Sequence, residues 1–247
     1  MISWFLGPAP SILTAVFASV ISTAWAQSNV VYFNNFDGPP GSSYPEWSSS
    51  AIRYESKATP PGSGTLPPPG VTNTQSPNGV QRFLGEFGGP AIGSPADPGY
   101  NRTRVEQTIT LTLTNLPPHH ELEISFDLLI LKSWDGNSET YGPDRWSLNV
   151  QDGPSLLQTT FSNNPKIEKE GSYQDYPEPK SLPHTGAVSI NTLGYKFFGD
   201  SIYRLKFKFP HHAPELRLHF NSSLFEGKGT PDESWGLDNV SVVATFP

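Results

Sequence analysis

The sequence predicts an all-β protein: a single two-sheet antiparallel β-sandwich of the jelly-roll kind. The 247 residues include 26 prolines and 22 glycines scattered along the chain, which disfavours long helices. Apolar and polar residues alternate over short stretches bounded by turn residues, as in strands with one buried and one solvent-facing side. Many such strands in one chain favour two antiparallel sheets that share a core.

The alternation locates the strands, and two polar segments interrupt them. Residues 57–80 and 163–185 are rich in proline and polar residues, and we predict that they are long surface loops, either functional or mobile. Everything from residue 27 to residue 247 is predicted to belong to one domain. The alternating stretches are 105–114, 122–130, 146–150, 203–209, 216–221 and 235–243.

The first 26 residues contain no charged side chain, and residues 11–26 form an apolar run that ends in Ala24-Trp25-Ala26. This is typical of a secretory signal peptide cleaved before Gln27. The basic segment that usually precedes the apolar run is missing, so an uncleaved N-terminal anchor is the alternative. No second run of membrane length occurs in the chain. We therefore expect a secreted, extracellular monomer without a membrane span after cleavage.

Composition excludes several classes of function. The chain has no cysteine, so it has no disulfide, no cysteine-based zinc site and no thiol nucleophile. An exported protein without cysteine also suggests a bacterial source. The formal charge is −7, without a block of lysine and arginine, so we expect no nucleic-acid partner.

Acidic and amide side chains gather in three places and suggest a calcium site. Strand parity places Asp238 on the same face as Val240 and Val242, which we expect to be the core face. A buried carboxylate requires a cation or several hydrogen-bond donors, so both interpretations stay open. Ca²⁺ prefers six to eight oxygen ligands. Since the first and last strands of jelly rolls often lie side by side, the candidate ligands are Asp37, Asp135, Asn137, Asp144 and Asp238.

Aromatic residues accompany these acidic loops and suggest a sugar-binding surface. Sugars are held by aromatic rings together with a few well-placed polar groups. Candidate ligand-binding residues are therefore Trp134, Asp135, Asn137, Tyr141 and Trp235. The alternative is that the tryptophans close the ends of the sandwich and lie in its core.

The sequence gives no catalytic pair. Glycosidases need two carboxyl groups ~5–9 Å apart, whereas Glu123 and Asp127 on one strand face would be about 13 Å apart. Their face also carries Arg204, Lys206 and Lys208 across the sheet, which indicates cross-strand ion pairs. Two Pro-His-His turns, at 118–120 and 210–212, would form a histidine cluster only if the fold brought them together.

Several stretches resemble a known group of proteins: "VVYFNNFDG", "FLGEFG", "LPPHHELEISFDLLILKSWDGN", "GPDRWSLNV", "DSIYRLKFKF" and "DESWGLDNVSVV". They are similar to exported bacterial jelly-roll proteins of the MAM, laminin-G and concanavalin A-like type, over about residues 30–245. The resemblance implies a β-sandwich in which calcium and glycan binding recur, but it implies no reaction.

We therefore expect a secreted, non-catalytic binding module for extracellular carbohydrate, with a structural calcium ion. A polysaccharide-active hydrolase or lyase on the same fold is one alternative. A structural or adhesive extracellular matrix protein is the other.

Overall fold

The computed structural model describes residues 27–57, 61–94, 96, 102–225 and 227–246. Residues 1–26 lie outside the described residues, so the signal peptide stays a prediction. In the described ranges, no helix has the length and apolar character needed to cross a bilayer. The strands are β1 (Ser28–Asn34), β2 (Trp47–Ser49), β3 (Ile52–Ser56), β4 (Gly62–Leu66), β5 (Asn73–Gln75), β6 (Arg82–Phe87), β7 (Thr103–Leu113), β8 (Glu121–Lys132), β9 (Arg145–Val150), β10 (Ser155–Thr160), β11 (Ser189–Ile190), β12 (Asp200–Pro210), β13 (Leu216–Leu224) and β14 (Glu233–Thr245), and the one helix among described residues is α1 (Ile167–Glu170).

These strands form two antiparallel sheets of seven strands each, counted over the described residues. The first sheet has the order β11-β12-β8-β14-β6-β5, and β1 also pairs with β14. The second has the order β10-β9-β13-β7-β3-β4, and β2 pairs with β7. The predicted antiparallel β-sandwich is therefore confirmed, and so is the expectation that the first and last strands lie side by side.

The core lies between the sheets and follows the alternation seen in the sequence. On β8, Leu122, Ile124, Phe126, Leu128 and Ile130 all point inward and are at most 2% exposed. They meet the inward residues of β7 and β13 in one continuous cluster. Because each such side chain contributes about 1.5–3 kcal/mol on burial, a core of this size stabilises the fold without disulfides.

The outer face of the first sheet carries the ion pairs expected from the sequence. Arg204 Nε lies 2.8 Å from Asp127 Oδ1, and Lys206 Nζ lies 2.5 Å from Glu123 Oε1. Each pair joins β12 to β8 across the sheet. Asp127 and Glu123 are thus engaged in ion pairs across the sheet.

The two segments predicted as loops differ from each other. The segment 57–80 contains β4 and β5, so the prediction of a continuous loop there was wrong. β4 pairs antiparallel with β3 and lies at the edge of the second sheet. The segment 163–185 contributes α1 and no named strand, as expected. It is nevertheless held to the first sheet: buried Asn163 donates to Ile130 O at 3.1 Å, and buried Gln174 accepts from the Tyr203 hydroxyl at 3.2 Å.

Asp238 does not face the core, contrary to the expectation from strand parity. The register of β14 against β8 shifts between Asp238 and Ser241, and Asn239 has a φ of 50°. A bulge of this kind inserts one residue and reverses the facing of the residues beyond it. Asp238 therefore lies opposite Asp127 in the strand register, on the outer side of the sheet, while Val240 points into the core.

Candidate functional site

Three buried carboxylates converge at one end of the sandwich. Asp135 comes after the end of β8, Asp144 immediately precedes β9, and Glu233 is the first residue of β14. Carboxylate oxygens from the three residues lie within 4.8 Å of one another. The residues are 4%, 0% and 2% exposed. This cluster of Asp135, Asp144 and Glu233, the acidic triad, thus combines two predicted ligands with one that sequence reasoning missed.

Hydrogen bonds fix the triad in position. Asp144 accepts from the backbone N–H of Asp135 at 2.6 Å and from that of Phe225 at 3.1 Å. Asp135 accepts a hydrogen bond from the side-chain amide of Asn164. Burial, followed by the negative charge of Asp144, raises the pKa of Asp135 to about 8. Like charges held this close require a proton or a cation between them.

The donor set of the triad fits a hard divalent cation. All three residues offer carboxylate oxygens, and Ca²⁺ and Mg²⁺ bind oxygen ligands. Calcium takes six to eight such ligands, which the triad can supply in part through bidentate carboxylates. The residues that would hold the ion are therefore Asp135, Asp144 and Glu233, on three separate elements.

A cleft of about 180 Å³ opens beside the triad, with Asp135 among its lining residues. Phe197 stands at this cleft with 72% of its surface exposed, and Tyr141 is half-buried in its wall. Two lysine–carboxylate pairs flank it, Lys166 with Glu170 and Lys228 with Asp232, each at 3.3 Å. The other lining residues are Ser133, Asn164 and Phe198.

The backbone presents Phe197 in an uncommon conformation. Phe197 and Phe198 have φ values of 58° and 69°, and Gly199 comes next at 80°. Bulky side chains rarely occupy this left-handed region, and such strain often accompanies ligand contacts. Sequence reasoning did not single out Phe197, because its place beside the acidic loops depends on the fold.

Trp134 and Trp235 are not available to a ligand, which corrects the predicted sugar-stacking role. Both are fully buried. The indole N–H of Trp134 donates to the backbone oxygen of Ser234 at 2.8 Å. The ring of Trp235 packs against Phe87 at 4.9 Å and Trp146 at 5.9 Å between centroids. These tryptophans close the end of the sandwich and belong to its core, which was the alternative interpretation.

Asn137 lies near the triad in sequence, but its side chain makes other contacts. Its Nδ2 donates to Asp175 Oδ1 at 2.7 Å, and its Oδ1 accepts from Thr160 Oγ1 at 2.8 Å. Asn137 thus fastens the 163–185 segment to β10. It belongs to neither the triad nor the residues lining the cleft.

Asp37 and Asp238 belong to a different part of the molecule, so the predicted five-residue calcium site divides. Asp238 is five positions along β14 from Glu233, about 16 Å in an extended strand, whereas Ca²⁺ ligands lie ~2.3–2.6 Å from the ion. Asp238 accepts hydrogen bonds from Gln81 Nε2 and its neighbour Asn239 N, both at 2.7 Å. Burial raises the pKa of Asp238 to about 6. Asp37 is exposed and accepts from Asn35 at 2.6 Å.

By its architecture the protein is an antiparallel β-sandwich. Comparisons with known proteins do not assign it to a family. No family model and no curated protein matches the chain. Similar solved structures include latent PorU from Porphyromonas gingivalis, at 15% identity and a TM-score of 0.35, covering 85% of this chain and 14% of that one. Another is TmCBM27, a carbohydrate-binding module studied for specific mannan recognition, at 13% identity and a TM-score of 0.39, covering 89% of this chain and 99% of that one.

A third similar structure is that of the infectious bursal disease virus Gt strain. It shares 11% identity at a TM-score of 0.22, covering 89% of this chain and 55% of that one. The chain thus spans a small part of PorU and about half of the viral chain. The mannan recognition named for TmCBM27 is a property of that protein.

Proposed function

We propose that this chain is a secreted, non-catalytic binding module for extracellular carbohydrate, with a calcium ion held by the acidic triad. The observation that carries the proposal is the cleft in which exposed Phe197 and half-buried Tyr141 accompany Asp135, Asn164 and Glu170. Sugar recognition combines an aromatic face with a few polar groups that fix the hydroxyls. Both kinds of group line this cleft.

The size of the cleft supports recognition of a short sugar unit. Its 180 Å³ corresponds to about six water molecules at ~30 Å³ each. A volume of this order suits one or two sugar rings better than a long polymer segment. Calcium below the cleft would neutralise the triad and keep Asp135 ionised as an acceptor, so the metal would have a structural role at the floor of the binding site.

The first test is affinity gel electrophoresis of the full chain in gels that contain different soluble polysaccharides. We expect at least one polysaccharide to retard the wild-type protein, and Phe197→Ala to weaken that retardation. Aromatic contacts of this kind contribute about 0.5–1.5 kcal/mol, which corresponds to a loss of up to about tenfold in affinity. Because Phe197 is exposed, its removal should leave the melting temperature unchanged.

Phe33→Ala is the matched control, because Phe33 is 59% exposed on β1 and does not line the cleft. Undiminished retardation of Phe197→Ala would mean that the polysaccharide binds outside the cleft. A wild-type protein that no polysaccharide retards would contradict the proposed function, and the adhesive or structural alternative would then be favoured.

One observation favours a second function, hydrolysis of a polysaccharide. The Asn164 side-chain nitrogen donates both to Asp135 and to Glu170, the latter at 2.8 Å. Two carboxyl groups are therefore neighbours in the cleft, and retaining glycosidases use such a pair at ~5 Å. A reducing-sugar assay with whichever polysaccharide binds separates the two functions. Release of sugar that Glu170→Gln abolishes would establish the hydrolase, whereas binding without release supports the binding module.

A further inference from the structure

The two Pro-His-His turns meet at the end of the sandwich where β7 turns into β8 and β12 turns into β13. His119 Nε2 lies 2.7 Å from His211 Nδ1. The ring planes differ by 10° and the centroids are 5.0 Å apart. An imidazole N–H lies in the plane of its ring, so a hydrogen bond this short places the two rings edge to edge in one plane. They are not packed face to face.

The outer nitrogens of the pair identify where its protons are. His119 Nδ1 is 2.6 Å from the carbonyl oxygen of Pro117, which can only accept, so Nδ1 carries a hydrogen. In the neutral His119 ring Nε2 therefore has no hydrogen and accepts from His211 Nδ1, so the neutral pair is held by one N–H between the rings.

Counting hydrogens gives the charge of the pair. One outer N–H on His119 and one N–H between the rings make two hydrogens on four ring nitrogens, which two neutral imidazoles supply. A third hydrogen fits on His211 Nε2 and leaves the central hydrogen bond in place. A fourth would put N–H against N–H at the central contact, where no hydrogen bond is possible.

We propose that the hydrogen bond between His119 and His211 is an acid-sensitive latch between the two turns. Uptake of the fourth hydrogen breaks the central hydrogen bond and drives the rings apart. The latch is independent of the proposed carbohydrate site, which lies at the opposite end of β8. Since coupled groups titrate as a unit, the extra protons belong to the pair rather than to one ring.

The surroundings oppose a second charge at this place. His119 is 4% exposed, and burial followed by the charge of His119 lowers the pKa of His211. The nearby acid Glu215 is already paired with Arg217, at 2.7 Å. No carboxylate is therefore shown in direct contact with the pair in the described structure. The titratable and charged groups around it are His120, Glu121, Asp152, His212, Glu215 and Arg217.

Opening of the latch would loosen the contacts between the turns. Leu116 N donates to Pro214 O at 2.9 Å, and His211 N donates to His120 O at 3.2 Å. Leu116 and Phe209 belong to the core beneath these turns. Separation of the rings should therefore expose apolar surface at this end of the sandwich, while the cleft end stays closed.

The test compares melting temperatures of the wild type, His211→Gln and His120→Gln at pH 7 and pH 5. A group with a lowered folded pKa contributes stability above its unfolded pKa of ~6.5 and loses it as the pH falls from that value through the folded pKa. We expect His211→Gln to lose less stability than the wild type on acidification. His120→Gln is the matched control: its ring is exposed and outside the pair, so this variant should respond to pH like the wild type.

Nitrogen NMR of the wild-type histidines gives a second readout that does not depend on a variant folding. At neutral pH the pair should show an N–H at His119 Nδ1 and one N–H between the rings, with the central proton coupled to nitrogens of both rings. Acidification should convert both histidines to the four-hydrogen form together. Independent titration of the two rings, or an unchanged pH response in His211→Gln, would overturn the latch.

Discussion

Calcium is expected to raise the melting temperature of this protein, and to raise it more at pH 8 than at pH 5. The reason is the acidic triad, in which Asp135, Asp144 and Glu233 hold carboxylates within 4.8 Å of one another. At pH 5 a proton on Asp135, whose pKa is raised to about 8, relieves the repulsion and competes with the metal. At pH 8 that competition weakens. Calcium at a hundred times its dissociation constant would add about 2.7 kcal/mol, or several degrees.

Without calcium, stability should fall as the pH rises. An unfolded aspartate titrates near ~3.9, so between about pH 4 and pH 8 the folded protein holds a proton that the unfolded chain has lost. At 1.36 kcal/mol per pH unit the total is on the order of 5 kcal/mol for Asp135. Asp238, with its pKa raised to about 6, acts in the same direction below pH 6. The range from pH 6 to pH 8 therefore isolates Asp135 from Asp238.

Thermal melts with calcium and with EGTA at both pH values measure these effects. Glu233→Gln keeps the shape of the triad and removes one charge, so it should lose the calcium response and melt no lower than the wild type in EGTA. Asp238→Asn is the matched control and should retain the full calcium response. Melts that are identical with calcium and EGTA at pH 8 would contradict the calcium site and leave the triad as a proton-sharing cluster.

The sequence predicted the architecture well because the fold rests on a simple alternation. Residues 122–128 and 216–221 alternate between apolar and polar, and the structure buries the apolar face of each. The expectation for Asp238 was wrong for a specific reason: one inserted residue near Asn239 reverses the parity of β14. A bulge depends on the register of the partner strand, which is invisible in the sequence of β14 alone.

The candidate site was predicted only in part. Asp135 and Asp144 were found because they are close in sequence and flank a turn-rich loop. Glu233 was missed, because its position beside them depends on the pairing of β14 with β8. Phe197 was missed because nothing in the residues around it predicts a left-handed backbone. The meeting of His119 with His211 likewise depends on the pairing of β8 with β12.

Replacement of Trp235 or Trp134 by alanine is expected to destabilise the protein by about 3–5 kcal/mol, the usual effect of deleting a buried tryptophan. Both rings are fully buried at the end of the core that supports the triad. Trp134→Ala also removes the donor to Ser234 O, on the strand that begins with Glu233. By contrast, Phe197→Ala should change stability by no more than about 0.5 kcal/mol, because its ring is exposed.

Urea unfolding of the three variants measures these differences, and iodide quenching of the wild-type fluorescence provides an independent test of burial. If an alanine variant does not fold, Trp235→Phe keeps most of the packing and should lose a smaller, measurable part of the stability. A Trp235→Ala protein as stable as the wild type would mean that this ring is on the surface, and the tryptophans would return as candidates for the sugar-binding face. A large loss assigns the tryptophans to the core and leaves Phe197 and Tyr141 as the aromatic residues of the cleft.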